Sequence, residues 1–232
     1  MPSPTSLPLY VQISEMLIRD IQAGRVLDGE RLPPERDMAQ GLGISVGTLR
    51  KALDDLSAKG LLDRRHGSGN YIRAGAEPVG VYAFFRLELI GGGGLPTAEV
   101  LSVDRLPKPE DLPAFGTSTE GHRIRRLRRL GGKPAAYEEI WLDGSRATTL
   151  RKDQLSESLY AFYKARLGLW IARAEDRIGV GEMPGWGTGL ALTAGAPCGH
   201  IERVSWDQTG ASCEASRTWF DAGVATYVSR IK

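Results

Sequence analysis

Apolar residues repeat at helical spacing through the first 60 positions of the chain. From residue 9 to residue 24 one helical face is apolar, which predicts a helix. Pro34 opens a second, shorter helix, because a first-turn position needs no backbone N–H, and the glycines within residues 41–43 end it. Ser45 then caps a third helix, which Gly60 ends. The apolar residues of this third helix follow the i, i+3, i+4, i+7 pattern of one buried face: Leu49, Ala52, Leu53 and Leu56.

The pattern changes to short strands after the third helix. Residues 61–62 begin a strand, and the glycine-rich turn of residues 67–69 returns the chain through residues 70–72. Three basic or titratable side chains lie on this hairpin: Arg64, Arg65 and His66. Two helices joined by a tight turn and followed by a basic hairpin predict a winged helix-turn-helix, a fold that reads DNA. We therefore predict a DNA-binding domain over residues 1–73.

The rest of the chain has a different texture. Residues 74–79 are small and polar with one proline, which is typical of an interdomain linker. Over residues 80–232 the sequence consists of short runs of β character separated by Gly/Pro turns, with helical spacing at about 156–167 and 187–192. The β runs cover residues 81–85, 98–103, 122–130, 135–142, 172–180, 200–206 and 212–220. This mixture predicts an α+β domain with a mostly antiparallel sheet.

Composition fits two globular domains and does not by itself indicate nucleic acid. The 232 residues are 41% hydrophobic and 25% charged, with a formal net charge of +2. Residues 1–73 carry 10 Lys and Arg against 9 Asp and Glu, and the remainder carries 20 against 19. A DNA-binding function therefore depends on where individual charges lie rather than on their sum.

Several other classes of site and location find no support in the sequence. Cys198 and Cys213 have neither a CxxC spacing nor a histidine at ligand spacing, so we predict no metal site and no cofactor. The first ten residues lack the basic start and apolar core of a signal peptide, and no apolar run approaches the ~18 residues of a membrane span. We expect a reduced bacterial protein of the cytoplasm, bound to DNA and not to a membrane.

Three spaced motifs in residues 1–73 resemble the DNA-binding domain of the GntR family of bacterial transcription regulators. They read LPPERDMA, ISVGTLRKAL and GSGNYI, where the family has LPSERELA, VSRxTVRxAL and GxGTFV. The resemblance implies contacts from the second helix, phosphate and base-edge contacts from the third, and approach of the hairpin tip to the minor groove. The DNA-binding residues that it implies are Glu35, Arg36, Ser45, Val46, Thr48, Arg50, Arg65 and Gly67.

Val46 departs from the family pattern. Many members have an arginine at this position, whose bidentate contact with guanine contributes ~1–3 kcal/mol of discrimination. A valine can touch a thymine methyl group but cannot donate to guanine. We therefore expect the DNA half-site to differ from the family's commonest one at the base pair that Val46 meets.

Residues 79–232 resemble, more loosely, the UTRA effector-binding domain of the HutC subfamily, which shares its fold with chorismate lyases. The matching segments are RLRRLGGKPAAYEEIWL, SLY and WDQTGASCEASRTWF. The effector-binding residues predicted from the resemblance are Arg86, Arg126, Arg128, Glu138, Tyr160 and Glu214. The segment of residues 220–225 lacks the arginine that the family supplies there, so we expect an effector unlike the usual class.

Strand alternation tests the predicted effector site. One face of the run from residue 123 to residue 130 carries Ile124, Arg126, Arg128 and Leu130, and the arginines 123, 125 and 129 point the other way. A two-residue loop at residues 131–132 would place Arg126 opposite Tyr137, whereas a three-residue loop places it opposite Glu138. We predict the three-residue loop, because that register gathers the polar residues of the family on one face.

Taken with the resemblance, these features predict a ligand-responsive transcription regulator that is not an enzyme. Two arginines on a semi-buried face favour an anion, such as a sugar phosphate, an amino-acid catabolite or a phosphonate. One winged helix makes few base contacts, so we expect a homodimer that reads a palindromic double-stranded operator as a repressor.

Three alternatives stay open from the sequence. Arg126 and Glu138 form, in one of them, an ordinary cross-strand ion pair on a solvated sheet. In another, the second domain is an enzyme related to chorismate lyase, although no nucleophile or acid/base constellation stands out. In the third, the protein binds DNA constitutively and its second domain is vestigial.

Overall fold

The computed structural model of the protein describes residues 7–73, 80 and 82–230. Two compact units are present. The N-terminal unit is Leu7–Phe85 with Ser229 and Arg230, and the C-terminal unit is Arg86–Val228. The predicted linker of residues 74–79 lies outside the described residues, so its bounds stay a prediction.

The N-terminal unit is a winged helix-turn-helix, as the sequence pattern predicts. The four apolar residues of the third helix are all buried and pack with the apolar face of the first helix. Ser45 caps the third helix by accepting a hydrogen bond from the Thr48 backbone N–H at 3.1 Å, as expected. The elements are α1 Leu9–Gln22, α2 Glu35–Gly41, α3 Val46–Ala58, β1 Leu62–Arg65 and β2 Gly69–Ile72.

The wing, formed by β1 and β2, is an antiparallel hairpin that also holds the start of α2. Its turn places Gly67 at φ +70°, a left-handed conformation that favours glycine. The chain before α2 lies against β2, since Leu32 donates its backbone N–H to the Asn70 carbonyl at 2.9 Å and Arg31 pairs with Tyr71. The first residues of α2 are therefore fixed beside the wing.

The strand predicted over residues 81–85 is wrong for the part of it that the structure describes. Tyr82 to Phe84 form a turn, in which the Phe85 N–H donates to the Tyr82 carbonyl at 2.8 Å. Phe85, at the end of this turn, contacts α1. Arg19 of α1 donates to the Phe85 carbonyl at 3.1 Å, and its guanidinium lies 5.3 Å from the centre of the Phe85 ring.

The C-terminal unit contains a six-stranded sheet of order β4-β5-β6-β9-β8-β7, and β3 pairs with β10 apart from it. Every pairing among the described strands is antiparallel, which confirms the α+β prediction. The predicted helix near residues 156–167 begins later, at α4 Leu159–Phe162, and continues as one π-helical turn, Tyr163–Leu167. The other elements are β3 Leu87–Leu89, β4 Pro96–Pro107, β5 Glu120–Leu130, β6 Lys133–Asp143, a 3₁₀ turn Lys152–Gln154, β7 Ile171–Glu182, β8 Pro197–Asp207, β9 Ser212–Phe220 and β10 Ala225–Tyr227.

The helix predicted over residues 187–192 is wrong. These residues form bends that pack on the sheet face carrying Leu127 and Tyr137. Gly187 lies so close to the Tyr137 ring that a Cβ there would come within 2.4 Å of it. The glycines of this stretch thus permit close approach to an aromatic ring, which the apolar spacing alone does not reveal.

The register between β5 and β6 agrees with the prediction, but its cause does not. Arg126 pairs with Glu138 and Arg128 pairs with Ala136, as predicted. The loop, however, is the two-residue Gly131-Gly132, because Leu130 pairs with Lys133. The register shifts by one residue between Arg128 and Arg129, so that Ala135 is the extra residue of a bulge. Both loop glycines have positive φ, as a tight hairpin turn of this kind requires.

Candidate DNA-binding surface and effector site

The exposed side of α3 carries the residues predicted to read DNA. Burial of the apolar face of α3 leaves Arg50 exposed on the opposite side. The Ser45 and Thr48 hydroxyl groups hydrogen-bond to each other at 2.8 Å at the start of the helix. Val46 is only partly exposed and packs against the core, so part of its side chain is unavailable to a thymine methyl group.

Three arginines of this surface are paired with carboxylates of the same unit. Arg50 Nε lies 2.7 Å from Glu35 Oε2, which joins α3 to the first residue of α2. The wing arginines behave alike, with Arg64 at 2.8 Å from Asp54 and Arg65 at 3.1 Å from Asp63. The Arg65 guanidinium also stacks 4.2 Å from the centre of the Tyr71 ring. The positive side chains predicted to meet DNA are therefore largely neutralised in the free protein.

A concave surface of about 400 Å³ lies between the start of α2 and the wing. Its lining includes four basic or titratable side chains, Arg31, Arg64, Arg65 and His66, together with Glu35 and Gly67. Arg36, predicted to lie on the DNA side, is exposed on α2. The structure thus collects Glu35 and the predicted wing residues Arg65 and Gly67 around one basic concavity, and adds Arg31, which the sequence analysis missed.

The predicted effector residues of β5 and β6 form a buried ion cluster. Arg126, Arg128 and Glu138 are each less than one-tenth exposed. Arg126 Nη2 lies 2.7 Å from Glu138 Oε2, and Arg128 donates from Nε and Nη2 to the two oxygens of the same carboxylate at 3.2 and 3.0 Å. Both arginines also donate to the Glu157 carbonyl, at 3.2 and 3.4 Å. The ion pair that the sequence left open on a solvated sheet exists, but it lies in the interior.

Burial and charge act against each other in this cluster. Burial alone would raise the pKa of Glu138, but the charges of Arg126 and Arg128 hold it below its ordinary value. Burial lowers the pKa of Arg126, and the neighbouring positive charge of Arg128 adds to that effect while Glu138 opposes it. The two guanidinium groups share the Glu138 carboxylate, and the charge of Glu214 also acts favourably on Arg126.

Two more of the predicted effector residues, Tyr160 of α4 and Glu214 of β9, contact each other. The Tyr160 hydroxyl donates to Glu214 Oε1 at 2.9 Å, and Ser205 of β8 donates to the same oxygen at 3.2 Å. Burial raises the pKa of Glu214 above its ordinary value, although hydrogen bonds from neighbouring hydroxyl groups oppose the shift. Tyr163, one turn after Tyr160, is fully buried beside this group, with the two rings 6.0 Å apart.

Three buried polar atoms around this interior make no hydrogen bond of ordinary geometry: Arg126 Nε, the Tyr163 hydroxyl and Glu214 Oε2. The last two belong to neighbouring side chains that interact weakly with each other. Both Glu214 and Tyr163 influence the pKa of Arg126 electrostatically, so the three groups belong to one region. A buried polar group without a partner costs free energy, and such groups call for a functional explanation.

Arg86 lies beside a second ion pair, which is linked to Tyr160. The Arg86 carbonyl accepts a hydrogen bond from the Val228 N–H at 2.9 Å, and the Arg86 charge helps to lower the pKa of Asp176, whose main partner is Arg203. Arg203 in turn hydrogen-bonds to Tyr160. Arg203 Nε lies 2.5 Å from Asp176 Oδ1, and the Tyr227 hydroxyl donates to Asp176 at 2.8 Å. The structure therefore brings five of the six predicted effector residues together, and places Arg86 beside a second ion pair.

The buried residues Tyr163 and Ser205, and the pair of Arg203 with Asp176, were missed by the sequence analysis. Ser205 pairs directly with Glu214 across β8 and β9, so a correct register for those strands would have found it. Tyr163 follows Tyr160 by three residues, which is helical spacing. Nothing in the local sequence distinguishes Arg203 from the other arginines of the sheet.

The unfolding free energy of the C-terminal unit is expected to fall as the pH rises above about 4.5, the ordinary pKa of a glutamate, because of Glu214. A group whose pKa is raised on folding stabilises the folded state when it is protonated, and this contribution disappears as the pH rises through the folded value. The slope from one group is at most about 1.4 kcal/mol per pH unit. Urea denaturation at several pH values should show a smaller decline in Glu214→Gln, which keeps a neutral side chain. Identical pH profiles for the two proteins would contradict the inferred pKa of Glu214.

Neither a metal centre nor a membrane helix is found in the part of the chain that the structure describes. No group of three or more His, Cys, Asp and Glu side chains there is arranged to hold a metal ion. No helix among those residues is long and apolar enough to cross a bilayer.

Two family comparisons cover most of the chain. Residues 9–72 match the family described as bacterial regulatory proteins, gntR family, and residues 92–223 match the UTRA domain. Among solved structures, the possible transcriptional regulator YydK from Bacillus subtilis has a TM-score of 0.55 at 22% identity and covers 97% of this chain and 100% of its own. The ligand-binding domain of a GntR-family regulator from Bordetella bronchiseptica has a TM-score of 0.56 at 20% identity, over 63% of this chain and 96% of its own. At these identities the two structures support the fold alone.

Curated relatives are similar over nearly the whole chain. The HTH-type transcriptional regulator SmoD of Agrobacterium fabrum is 63% identical over 228 residues, which cover 98% of this chain and 97% of that protein. A histidine utilization repressor of Pseudomonas aeruginosa is 36% identical, over 86% of this chain and 82% of its own. The chain therefore belongs to the GntR family of bacterial regulatory proteins, as a ligand-responsive transcriptional regulator in which a helix-turn-helix domain precedes a UTRA domain.

Proposed function

We propose that this regulator is a homodimeric repressor, and that a small anionic metabolite bound in the C-terminal unit releases it from a palindromic operator. The observation that carries the proposal is the buried polar interior, where two arginines share one carboxylate and Arg126 Nε, the Tyr163 hydroxyl and Glu214 Oε2 make no hydrogen bond of ordinary geometry. An anion is attracted by the two arginines, and its oxygens offer well-placed acceptors to Arg126 Nε and the Tyr163 hydroxyl. The gain in paired groups is available only to the liganded state.

The ligand class follows from the mixed chemistry of this interior. Glu214 in its protonated form donates a hydrogen bond, and Tyr163 can donate or accept one. Such groups suit hydroxyl or amide functions on a molecule whose charged end reaches Arg126. Sugar phosphates, amino-acid catabolites and phosphonates have this combination. The names of two relatives, a mannosyl-D-glycerate transport/metabolism system repressor and a histidine utilization repressor, favour metabolites of this size.

A route for the signal lies in the chain between the two units. Phe85 is held on α1 by Arg19, and the next residue, Arg86, interacts electrostatically with Asp176. A ligand that rearranges the ion pair of Asp176 and Arg203 would displace Arg86, and the displacement reaches α1 through one peptide bond. Differential binding to the two arrangements then supplies a coupling of ~1–3 kcal/mol, as in other allosteric proteins.

Tyr163→Phe is expected to abolish or strongly weaken effector binding, since it removes a buried hydroxyl group of the proposed site that makes no hydrogen bond of ordinary geometry in the free protein. The unfolding free energy should fall by less than in Tyr160→Phe, because the Tyr163 hydroxyl interacts only weakly with Glu214. The measurement is a thermal-shift screen of the anion classes named above against the full chain, followed by fluorescence anisotropy on DNA sites selected from a random pool.

Tyr160→Phe is the matched control, because its hydroxyl group donates to Glu214 at 2.9 Å and its loss should destabilise the unit. A ligand that raises the melting temperature of the wild-type protein should weaken the binding of this protein to the selected DNA. The ligand should be recovered chemically unchanged. Conversion of the ligand would instead favour the chorismate lyase-like reading, and DNA binding that no stabilising ligand alters would favour a vestigial second domain.

A further inference from the structure

Glu35 and Arg50 form an ion pair across the helix-turn-helix, and its geometry is specific. Arg50 Nε donates to Glu35 Oε2 at 2.7 Å, between residues 15 positions apart in the sequence. The Arg50 side chain is 65% exposed, whereas that of Glu35 is 27% exposed. The arginine thus extends into solvent, and the glutamate lies closer to the body of the domain.

The surroundings of Glu35 account for its fixed position. It is the first residue of α2, and the chain just before it lies against β2 of the wing. The hydrogen bond from Arg50 lowers the pKa of Glu35, and the Asn70 side chain and the charge of Arg64 act in the same direction. The carboxylate therefore stays ionised at neutral pH at the place where α2, α3 and the wing meet.

Because Glu35 binds Arg50 at Nε, it sets the orientation of the Arg50 guanidinium toward DNA. A guanidinium is a planar fork with five N–H donors, and a bond to Nε leaves the two terminal nitrogens at the far end of the side chain. Those two nitrogens are the pair that can donate side by side to O6 and N7 of guanine. With its plane fixed by Glu35, Arg50 presents this end outwards before DNA arrives.

The Glu35 carboxylate also weakens contacts between Arg50 and DNA phosphates, which carry no sequence information. Phosphates of any DNA sequence attract an arginine, and this attraction supplies most non-specific binding. A carboxylate next to Arg50 cancels much of its charge and repels a nearby phosphate, but it does not compete for the base edge. The partners of Arg64 and Arg65 are less suited to this role, because Asp54 and Asp63 are more exposed than Glu35, at 61% and 36%.

We propose that Glu35 is a positioning and specificity-determining residue, which holds the Arg50 guanidinium end-on for a base edge and suppresses its use on phosphates. This inference depends on the proposed contact of Arg50 with DNA. The family resemblance alone implies that Glu35 contacts DNA directly. The proposal instead assigns Glu35 a role that acts through Arg50.

The test compares Glu35→Gln and Glu35→Ala in the full chain. Each protein is titrated against a site selected from a random DNA pool by the wild type and against an unrelated duplex of equal length, at several salt concentrations. Glutamine keeps an acceptor for Nε and loses the charge, so binding to the unrelated duplex should tighten about two- to five-fold, the range expected for one exposed charge pair. Glu35→Ala should tighten binding to the unrelated duplex equally. It should also weaken binding to the selected site, because no acceptor then fixes the Arg50 guanidinium.

Asp37→Asn is the matched control for net charge, since Asp37 is an exposed acid of the same helix and the structure records no ion pair between it and Arg50. It should leave the ratio of the two affinities within about two-fold of the wild type. The substitutions are repeated on an Arg50→Ala background, where Glu35→Gln should no longer alter the ratio. An unchanged ratio in Glu35→Gln, or an equal effect with and without Arg50, would overturn the proposal. If Arg50→Ala itself leaves binding to the selected site intact, it is the proposed DNA contact of Arg50 that fails.

Discussion

Replacing Glu138 with alanine is expected to lower the unfolding free energy of the C-terminal unit by about 3–5 kcal/mol. The substitution removes the carboxylate that pairs with Arg126 and Arg128, at 2.7 and 3.0 Å, and leaves two guanidinium groups buried without a counter-charge. Removing one partner of a buried ion cluster costs far more than the net contribution of the cluster, because the desolvation penalty of the remaining charges is no longer offset.

Tryptophan fluorescence during urea denaturation measures this loss selectively. All five tryptophans of the chain, at positions 141, 170, 186, 206 and 219, lie in the C-terminal unit, so their signal does not report on the DNA-binding unit. Glu120→Ala is the matched control on the same sheet. Its partner is Arg105 at 2.9 Å, and the two side chains are 45% and 40% exposed, so its loss should cost less than ~1 kcal/mol. Equal small losses for both variants would mean that water screens the Glu138 cluster.

Arg126→Met separates the cluster's charge from its packing. Methionine fills much of the space of the arginine stem, and Arg128 keeps both of its hydrogen bonds to Glu138. The unit should therefore lose clearly less stability than in Glu138→Ala. The comparison of the two variants bears on ligand binding. Arg126 was predicted to bind an anionic effector, and the structure shows that it already pairs with Glu138. An incoming anion therefore binds an arginine that already has Glu138 as a partner.

Local pattern was sufficient where the structure depends on neighbours in the sequence. The helical spacing of Leu49 and Leu53, the cap at Ser45 and the alternation that buries Arg126 and Arg128 are all confirmed. These features need only the geometry of one helix or one strand. The DNA-binding unit, built from short elements and tight turns, was therefore predicted almost completely.

Non-local packing explains the failures. The predicted register of β5 and β6 was right, although the predicted loop was one residue too long. A bulge at Ala135 shifts the pairing by one residue and so compensates for the shorter loop. The turn near Phe85 depends on Arg19, 66 positions away, and the bends at Gly187 depend on Tyr137. The site residue Ser205 was missed for the same reason. None of these contacts is encoded within one element.

The arginines of the DNA-binding surface show a further limit of sequence reading. A count of charges in residues 1–73 indicates a nearly neutral domain, and the structure shows that the near neutrality also holds contact by contact. Arg50 is paired with Glu35 before DNA is present. Affinity for DNA must then come from the outer end of the Arg50 guanidinium meeting a base edge and from Arg64 and Arg65 exchanging their carboxylates for DNA, which favours sites that offer the right base.

Arg50→Ala is therefore expected to weaken binding to a selected DNA site on the order of ten- to a hundred-fold, while binding to an unrelated duplex of equal length changes much less. Removal of an arginine that reads a base edge lowers the protein's discrimination between DNA sequences. Such an arginine displaces few counterions, so the slope of log K against log salt concentration should change by less than one unit. Lys51→Ala, which removes the neighbouring exposed charge of α3, is the control and should affect both duplexes alike. Fluorescence anisotropy at several salt concentrations provides both quantities. A slope lower by about one with unchanged discrimination would place Arg50 on a phosphate, and the reading of the operator would then belong to other residues of α3.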